Sequence, residues 1–308
     1  MAVGAVRRSS ATRRRRVSLQ TIRPRIILRG AALAALGLAL GSCSEGVLAP
    51  RGPIGESERV ILYDATAIML AVVIPVIVLA IVFAWWFRAS NVQARYLPTW
   101  EYSGRIEIIV WSIPMLVIGF LGGIAWIGSH DLDPPQAIDS ATAPLELDVV
   151  SLDWKWLFIY PAEGVASVNR LVVPVGRPVR FHLTSATVMN SFFVPQFGSQ
   201  IYTMPRMTTQ LNLQADQAGV YKGFSAQFSG DGFSDMRFEV AAVPTDQFTS
   251  WVEQAKAQGR ALDSAAYDAL AQPSKAVEPA TYAPVAEGLF ESVSAGRMSA
   301  DHTAHEEH

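Results

Sequence analysis

The chain has 308 residues, half of them hydrophobic, and its mean hydropathy of +0.24 is high for a soluble protein. Its formal net charge of −2 hides an asymmetry, because residues 1–42 hold nine arginines and no acid, which leaves 16 basic against 27 acidic residues. Residues 43–308 are therefore acidic overall, which disfavours nucleic acid as a partner. The single cysteine, Cys43, excludes an intrachain disulfide, a zinc–cysteine cluster and a cysteine-bridged copper site.

Residues 1–42 have the pattern of a secretory signal peptide. A basic segment with four consecutive arginines at 13–16 precedes a short apolar stretch that ends in Leu40-Gly41-Ser42-Cys43. These four residues resemble the lipobox of bacterial lipoproteins, which implies that Cys43 is acylated and becomes the mature N-terminus. A plain signal peptide and an uncleaved anchor are the alternatives.

Two uncharged runs, residues 65–87 and 108–129, predict a transmembrane helical hairpin over residues 65–129. Each run is long enough to cross a bilayer, and a polar periplasmic segment, residues 43–64, precedes them. As far as Arg105 the connector carries three arginines and one acid, Glu101, whereas acids follow the second run, so the connector is expected in the cytoplasm and both chain ends in the periplasm. Small residues in the second run favour close packing against a neighbouring helix, although a generic hairpin anchor without a partner is the alternative. These residues are Gly119, Gly122, Gly123, Ala125 and Gly128.

Residues 130–243 are predicted to form an all-β sandwich. Apolar and polar residues alternate in short runs separated by glycine and proline, from Leu145 to Val240.

The remaining residues, 244–308, are predicted to form a helical arm with a disordered end. Thr245 is placed to cap a first helix, and Asp263 or Ser264 to cap a second one that stops before Pro273. Beyond it, prolines and small residues predict an extended segment lying on a partner.

The loop between the last two predicted strands holds the strongest functional signal. It reads GFSAQFSGDGFSDM over residues 223–236, a spacing that resembles the copper-binding loop of subunit 2 of the cytochrome c oxidases. That family places two cysteines around a glutamate, then a histidine and a methionine, with a second histidine earlier in the chain. The corresponding positions here are Asn190, Ser225, Gln227, Ser229, Phe233 and Met236. These residues lack the thiolates and imidazoles of a binuclear copper centre, so we expect no metal here.

The loop keeps the spacing of a copper site but lacks its ligands, and in this it resembles the same loop in subunit 2 of the cytochrome o ubiquinol oxidases. The flanking sequence at 192–202 and 221–236 resembles that subunit as well. The resemblance implies a cupredoxin-like domain in the periplasm and an anchor in the bacterial inner membrane. It further implies a proton-pumping complex that oxidises ubiquinol and reduces oxygen to water, with hemes and one copper in subunit 1 and no cofactor in this chain. The expected partners are subunit 1, smaller membrane subunits and the lipid bilayer, and not cytochrome c.

Two further residues take their interpretation from this resemblance. Trp154 stands where the cytochrome c oxidases receive electrons, and without copper behind it we interpret it as packing. Glu107 precedes Pro114 by seven residues. In the heme-copper oxidases that this chain resembles, a glutamate at the same distance before a proline forms the entrance of the proton channel that is named after its lysine in subunit 1. A carboxylate at the membrane boundary can take protons from water, so Glu107 is the predicted site of proton uptake; an interfacial end marker is the alternative.

Three other interpretations stay open. An unrelated cupredoxin-like domain is one, and a cytochrome c oxidase subunit with an intact copper pair is another, which the absence of any cysteine after Cys43 disfavours. The third is a membrane-tethered periplasmic copper carrier or sensor, because methionine and histidine bind copper, although scattered methionines more often fill cores. Its candidate ligands are Met189, Met204, Met207, Met236, His302, His305 and His308. For the three histidines, a solvated chain end is the favoured interpretation.

Overall fold

A computed structural model describes residues 46–95 and 97–297 of the chain. The predicted signal peptide of residues 1–42 and the acylation site Cys43 lie outside the described residues, as do the histidines His302, His305 and His308. These assignments stay predictions.

Two long helices form the predicted hairpin. Helix α1 (Pro53–Trp86) has 34 residues and helix α2 (Gly104–Asp131) has 28, and both are long and apolar enough to cross a membrane. At 1.5 Å per residue they are about 51 and 42 Å long, more than the roughly 30 Å of a bilayer core. Helix α1 begins well before the uncharged run that starts at residue 65, because Pro53 suits the first helical position. Part of the segment expected as a polar spacer is therefore helical.

The start of α1 is fastened to the β domain. The amide of Gly55 donates to the carbonyl of Phe197 over 3.0 Å, and the Glu58 carboxylate accepts from the amide and the hydroxyl of Ser199 at 2.8 and 2.9 Å. A Cβ at Gly52 would collide with the domain backbone, so this close approach requires glycine. The helix therefore continues rigidly from the membrane anchor into the domain.

The described residues contain twelve strands in two sheets, which together make the predicted sandwich. Strand order is β11-β12-β3-β2-β1-β5-β8 in one sheet and β4-β10-β9-β6-β7 in the other. The strands are β1 (Leu145–Leu152), β2 (Lys155–Tyr160), β3 (Val165–Val168), β4 (Arg170–Pro174), β5 (Val179–Ser185), β6 (Asn190–Phe193), β7 (Gln200–Thr203), β8 (Thr209–Leu213), β9 (Gly219–Ser225), β10 (Arg237–Val243), β11 (Arg260–Leu262) and β12 (Ala280–Val285).

The alternating residues of these strands fill the space between the sheets. Leu145, Leu147 and Val149 of β1 are all buried, as the period of two predicts. An aromatic cluster lies at the centre, where the rings of Phe192 and Phe238 stack with centroids 5.2 Å apart. This core sits directly behind the loop between β9 and β10, and so it fixes the frame of the candidate site.

The arm carries three short helices: α3 (Thr245–Gln258), α4 (Ser264–Ala271) and α5 (Leu289–Ser294). The prediction that Thr245 caps the first helix was wrong, because Pro244 is the N-cap and Thr245 is the first helical residue. The cap of α4 is confirmed, since Asp263 accepts a hydrogen bond of 2.8 Å from the amide of Ala266.

The arm packs on its own domain, and its strand β12 has the extended conformation that the sequence predicts, while the expected contact with a partner stays a prediction. Strand β12 pairs antiparallel with β3, with Thr281 opposite Ser167, and β11 pairs with β12. Tyr267 of α4 and Phe290 of α5 are buried against the outer face of the larger sheet. Sequence patterning missed this packing because β11 has only three residues and the burial of β12 does not alternate.

Candidate functional site

The residues at the copper-ligand positions lie in or beside the loop from β9 to β10. Ser225 ends β9, a single 3₁₀ turn spans Phe233–Asp235, and β10 starts at Arg237. The amide of Ser225 donates to the Met236 carbonyl over 3.0 Å, which closes the base of the loop. Three of the six predicted positions, Ser225, Phe233 and Met236, line a depression of about 390 Å³ beside this loop.

Asn190 and Ser225 contact each other directly. The Ser225 hydroxyl lies 3.0 Å from Oδ1 of Asn190 and 3.1 Å from the carbonyl oxygen of Gln227, and it donates to these acceptors in turn. Asn190 is fully buried and Ser225 is 4% exposed. Two neutral polar side chains thus satisfy each other where the resemblance places metal ligands.

A second pair lies beside the first. The Ser229 hydroxyl donates to the sulfur of Met236 over 3.8 Å, and Met236 is 1% exposed. Phe233 packs its ring edge against Phe228, with centroids 5.6 Å apart. The loop is therefore held by a weak hydrogen bond to sulfur and by aromatic packing.

These side chains do not fit a binuclear copper centre. Hydroxyl and amide groups are neutral and hard, whereas the copper pair needs bridging thiolates and imidazoles, and the Met236 thioether is the one soft donor among the six positions. In the described part of the chain, no group of three or more His, Cys, Asp or Glu side chains could hold a metal ion. Of the carrier's candidate ligands, Met189 and Met207 are exposed while Met236 is in the core.

Trp154 ties the loop to the arm. Its indole nitrogen donates a hydrogen bond of 2.7 Å to the carbonyl oxygen of Ser229, and its ring lies against Gly232. On the other side the Lys275 ammonium lies 5.5 Å from the ring centroid, and the Trp154 amide donates to the Ser274 carbonyl. The partly buried ring packs against the main core, which fits its interpretation as a packing residue.

Glu107 lies in the first turn of α2, far along the chain from the loop. Its amide donates to the carbonyl of Ser103 over 3.0 Å, and its Oε2 atom accepts a hydrogen bond of 3.1 Å from the indole nitrogen of Trp111. Both side chains are exposed on the described hairpin. A carboxylate in the first turn also interacts favourably with the positive end of the helix.

Known proteins share this architecture. A family model for "Cytochrome C oxidase subunit II, periplasmic domain" matches residues 145–243, and one for "COX Aromatic Rich Motif" matches residues 256–298. The "Cytochrome bo(3) ubiquinol oxidase subunit 2" of Pseudomonas aeruginosa is 48% identical over 253 residues, which cover 82% of this chain and 76% of that protein. The "Ubiquinol oxidase subunit 2" of Acetobacter aceti is 48% identical over 259 residues, or 83% and 84% of the two chains.

The chain belongs to the ubiquinol oxidase subunit 2 family. Among solved structures, the periplasmic domain of subunit II of cytochrome oxidase (CoxB) of Bradyrhizobium japonicum is 28% identical, with a TM-score of 0.36 over 38% of this chain and 96% of that chain. The predicted family and fold class, two apolar helices with a cupredoxin-like domain and a helical arm, are confirmed.

Sequence reasoning missed a buried lysine next to Trp154 in this family member. The Lys155 ammonium donates to the carbonyls of Asp153 and Gln272 at 3.0 and 2.8 Å, and to the Ser274 hydroxyl at 2.5 Å. Burial lowers the pKa of Lys155 to about 8, against the opposing effect of the Asp153 carboxylate. Its bonds to Gln272 and Ser274 hold the segment after α4 to the turn that carries Trp154. A lysine between two tryptophans gave a weak signal of this role.

A second missed group is a set of charges on the outer face of the larger sheet. Glu146 bridges Arg180 at 2.9 Å and His182 at 3.0 Å on the neighbouring strand β5. Asp148 lies opposite His182 in register, and helix α5 brings Glu291 close to it. Burial raises the pKa of Asp148 to about 6, which His182 opposes and Glu291 and Glu146 reinforce. The alternation of β1 predicts an outward Asp148, but not the arm that covers it.

Proposed function

We propose that this chain is subunit 2 of a proton-pumping heme-copper ubiquinol oxidase in an aerobic respiratory chain, where ubiquinol is oxidised and oxygen is reduced to water. Family membership over most of the chain supports the assignment to an oxidoreductase complex. The observation that supports a quinol oxidase over a cytochrome c oxidase is the hydrogen bond between Ser225 and Asn190 at the copper-ligand positions. Electrons cannot pass through that pair, so they enter the complex elsewhere.

Apart from proton uptake at Glu107, the chain's own contribution is structural. It holds no redox centre under this proposal, and the hemes and the copper belong to subunit 1. A Cβ added at Gly119, Gly122 or Gly123 of α2 would meet nothing within 4 Å, so this stretch of the helix is open to close approach by a membrane helix of subunit 1 or of a smaller subunit. The fastened joint between α1 and the domain then fixes the β domain over its partner.

The domain lies on the periplasmic side under this proposal. The basic connector between α1 and α2 favours the cytoplasm, and the family match of residues 145–243 is to a periplasmic domain. Acylation of Cys43 would anchor the mature N-terminus in the same leaflet that the start of α1 approaches. Mass spectrometry of the mature N-terminus tests this step, since an unmodified or uncleaved N-terminus contradicts it.

Glu107 is proposed to take up protons from the cytoplasm and to pass them to subunit 1. The carboxylate is exposed, lies in the first turn of α2, and sits next to the basic connector. We expect Glu107→Ala to slow oxygen consumption about tenfold or more, the size typical of losing a positioned proton-transfer group, while the complex still assembles with its hemes. The matched control is Glu101→Ala, which removes a connector carboxylate outside the helix and leaves the rate unchanged.

The whole proposal is tested by purifying the complex from membranes through a tag on this chain. We expect a heme protein to co-purify, ubiquinol to support rapid oxygen consumption, and reduced cytochrome c to support none. Two copper ions in the β domain, or rapid turnover with cytochrome c, contradict the quinol assignment. Recovery of a lone copper-bound chain would instead favour the copper carrier.

A further inference from the structure

Glu107 and Trp111 form a side-chain pair on one face of α2. Oε2 of Glu107 accepts a hydrogen bond of 3.1 Å from Nε1 of Trp111, one helical turn further into the membrane. Residues four apart lie one above the other on a helix. Trp111 is 67% exposed and Glu107 is also exposed, so the pair faces outward from the hairpin and is open to a neighbouring subunit.

The pair joins a flexible group to a rigid one. The backbone of Glu107 is fixed by its bond to Ser103, but three rotatable bonds leave the carboxylate free to turn toward the bilayer, the connector or the partner. The indole has only two side-chain torsions, and its broad apolar ring suits the membrane boundary. A bond from Nε1 to Oε2 therefore selects one orientation of the carboxylate and leaves Oε1 to meet water or the partner.

Two other tryptophans near the ends of the hairpin helices make their side-chain contacts through the ring. The Trp85 ring lies 4.9 Å from the Arg88 guanidinium carbon, and the Trp126 ring lies 4.5 Å from the imidazole of His130. Trp111 differs because its polar N–H points at a carboxylate. A tryptophan that served only as an interfacial anchor would direct this N–H to water or lipid headgroups.

We propose that Trp111 is a positioning residue that aims the Glu107 carboxylate for proton uptake. This inference rests on the proposed function of Glu107. In each cycle the carboxylate gains one proton from cytoplasmic water and loses one to the partner, while the indole N–H keeps its own proton throughout.

The test replaces Trp111 by Phe in the complete complex. Phenylalanine keeps an aromatic ring at the boundary and removes the donor. We expect kcat with ubiquinol to fall about 3- to 10-fold, in line with one lost hydrogen bond, with an unchanged KM because quinol binds elsewhere. Trp86→Phe is the matched control, since it removes an indole N–H from α1 near the same boundary, and it should leave kcat unchanged.

A double variant separates positioning from a structural role. If Trp111 acts through Glu107, then Trp111→Phe has no further effect on kcat once Glu107 is alanine. An equal loss in both backgrounds, or normal turnover of Trp111→Phe alone, overturns the inference. Normal turnover of Glu107→Ala instead removes the proposed role of Glu107 itself, so the two failures are distinguishable.

Discussion

The indole nitrogen of Trp154 donates a hydrogen bond of 2.7 Å to the carbonyl oxygen of Ser229, so the loop from β9 to β10 is attached to the turn between β1 and β2. The indole ring lies directly against Gly232 of the same loop. A loop that holds serines at its metal-ligand positions is thus kept in shape by tryptophan packing. Trp154, which the resemblance places at an electron-entry position, therefore contacts this loop by a hydrogen bond and by packing.

Gly232→Ala is expected to destabilise this support. The backbone of Gly232 has φ −100° and ψ 10°, which alanine adopts without strain, so the cost comes from the new methyl group meeting the Trp154 ring. We expect a loss of about 1 to 3 kcal/mol, typical of overpacking, measured as a lower Tm of the purified complex. Ser234→Ala, at an exposed position of the same loop, is the control and should leave the Tm unchanged. Equal Tm values for all three proteins would contradict tight packing at Gly232.

Lys155→Met is expected to loosen the arm. Methionine fills a similar volume but donates no hydrogen bond, so the carbonyls of Asp153 and Gln272 lose the ammonium that they share. Unsatisfied buried polar groups cost about 2 to 4 kcal/mol in total, and we expect faster proteolysis between α4 and β12. Lys275→Met is the control, because it removes only the exposed cation over Trp154, worth about 1 kcal/mol or less. Equal cleavage rates of the two variants would rule out a special role for Lys155.

Glu58→Ala is expected to weaken the joint between α1 and the β domain. One carboxylate oxygen accepts from both the amide and the hydroxyl of Ser199, whose backbone has a φ of +40° and needs outside support. Losing two bonds to a charged acceptor should cost about 2 kcal/mol and raise hydrogen exchange of the Ser199 amide. Glu56→Ala is the control, since Glu56 is exposed and pairs only within the helix with Arg59. Unchanged exchange at Ser199 in Glu58→Ala would show that backbone contacts alone hold the joint.

The sequence was sufficient for features that depend on local pattern. The uncharged runs located the hairpin, the alternation from Leu145 onward located the strands, and Asp263 located a helix cap. The resemblance to a known family assigned Asn190 and Ser225, 35 residues apart, to one set of ligand positions, and the two side chains are in contact. Each of these features follows from a periodicity or a residue spacing that can be read from the sequence alone.

The features that escaped prediction depend on contacts between distant segments. Lys155 contacts Gln272 and Ser274 more than a hundred residues away, and the arm adds β12 to β3 through backbone hydrogen bonds that any sequence can make. The helical start of α1 escaped prediction because its polar residues have the pattern of a spacer, whereas contacts with the β domain support this turn. Tertiary contacts decide such cases, and they leave no periodic trace.

Asp148 makes the stability of the arm depend on pH. It lies opposite His182 of β5, two residues from Glu146 on its own strand and near Glu291 of α5, and it lines a cavity of about 360 Å³ together with Glu287 of the arm. Its pKa is raised from 3.8 to about 6 chiefly by burial, so the folded state binds the proton more tightly than the unfolded state. Buried Asp148 therefore does not lower the free energy of unfolding below about pH 4. The free energy of unfolding falls as pH rises toward 6 and stays reduced above pH 6.

Asp148→Asn should remove this dependence. A shift of this size corresponds to about 3 kcal/mol, which solvent screening at a partly exposed side chain reduces to about 1 to 2 kcal/mol. We expect the variant to have a higher Tm than the wild type at pH 7.5 and nearly the same Tm at pH 4.5, measured on the purified complex. Asp246→Asn, on the exposed first turn of α3, is the control and should leave the pH profile of the Tm unchanged. If Asp148→Asn lowers the Tm at pH 7.5, the charged carboxylate stabilises the arm, and the sign derived from its burial is wrong.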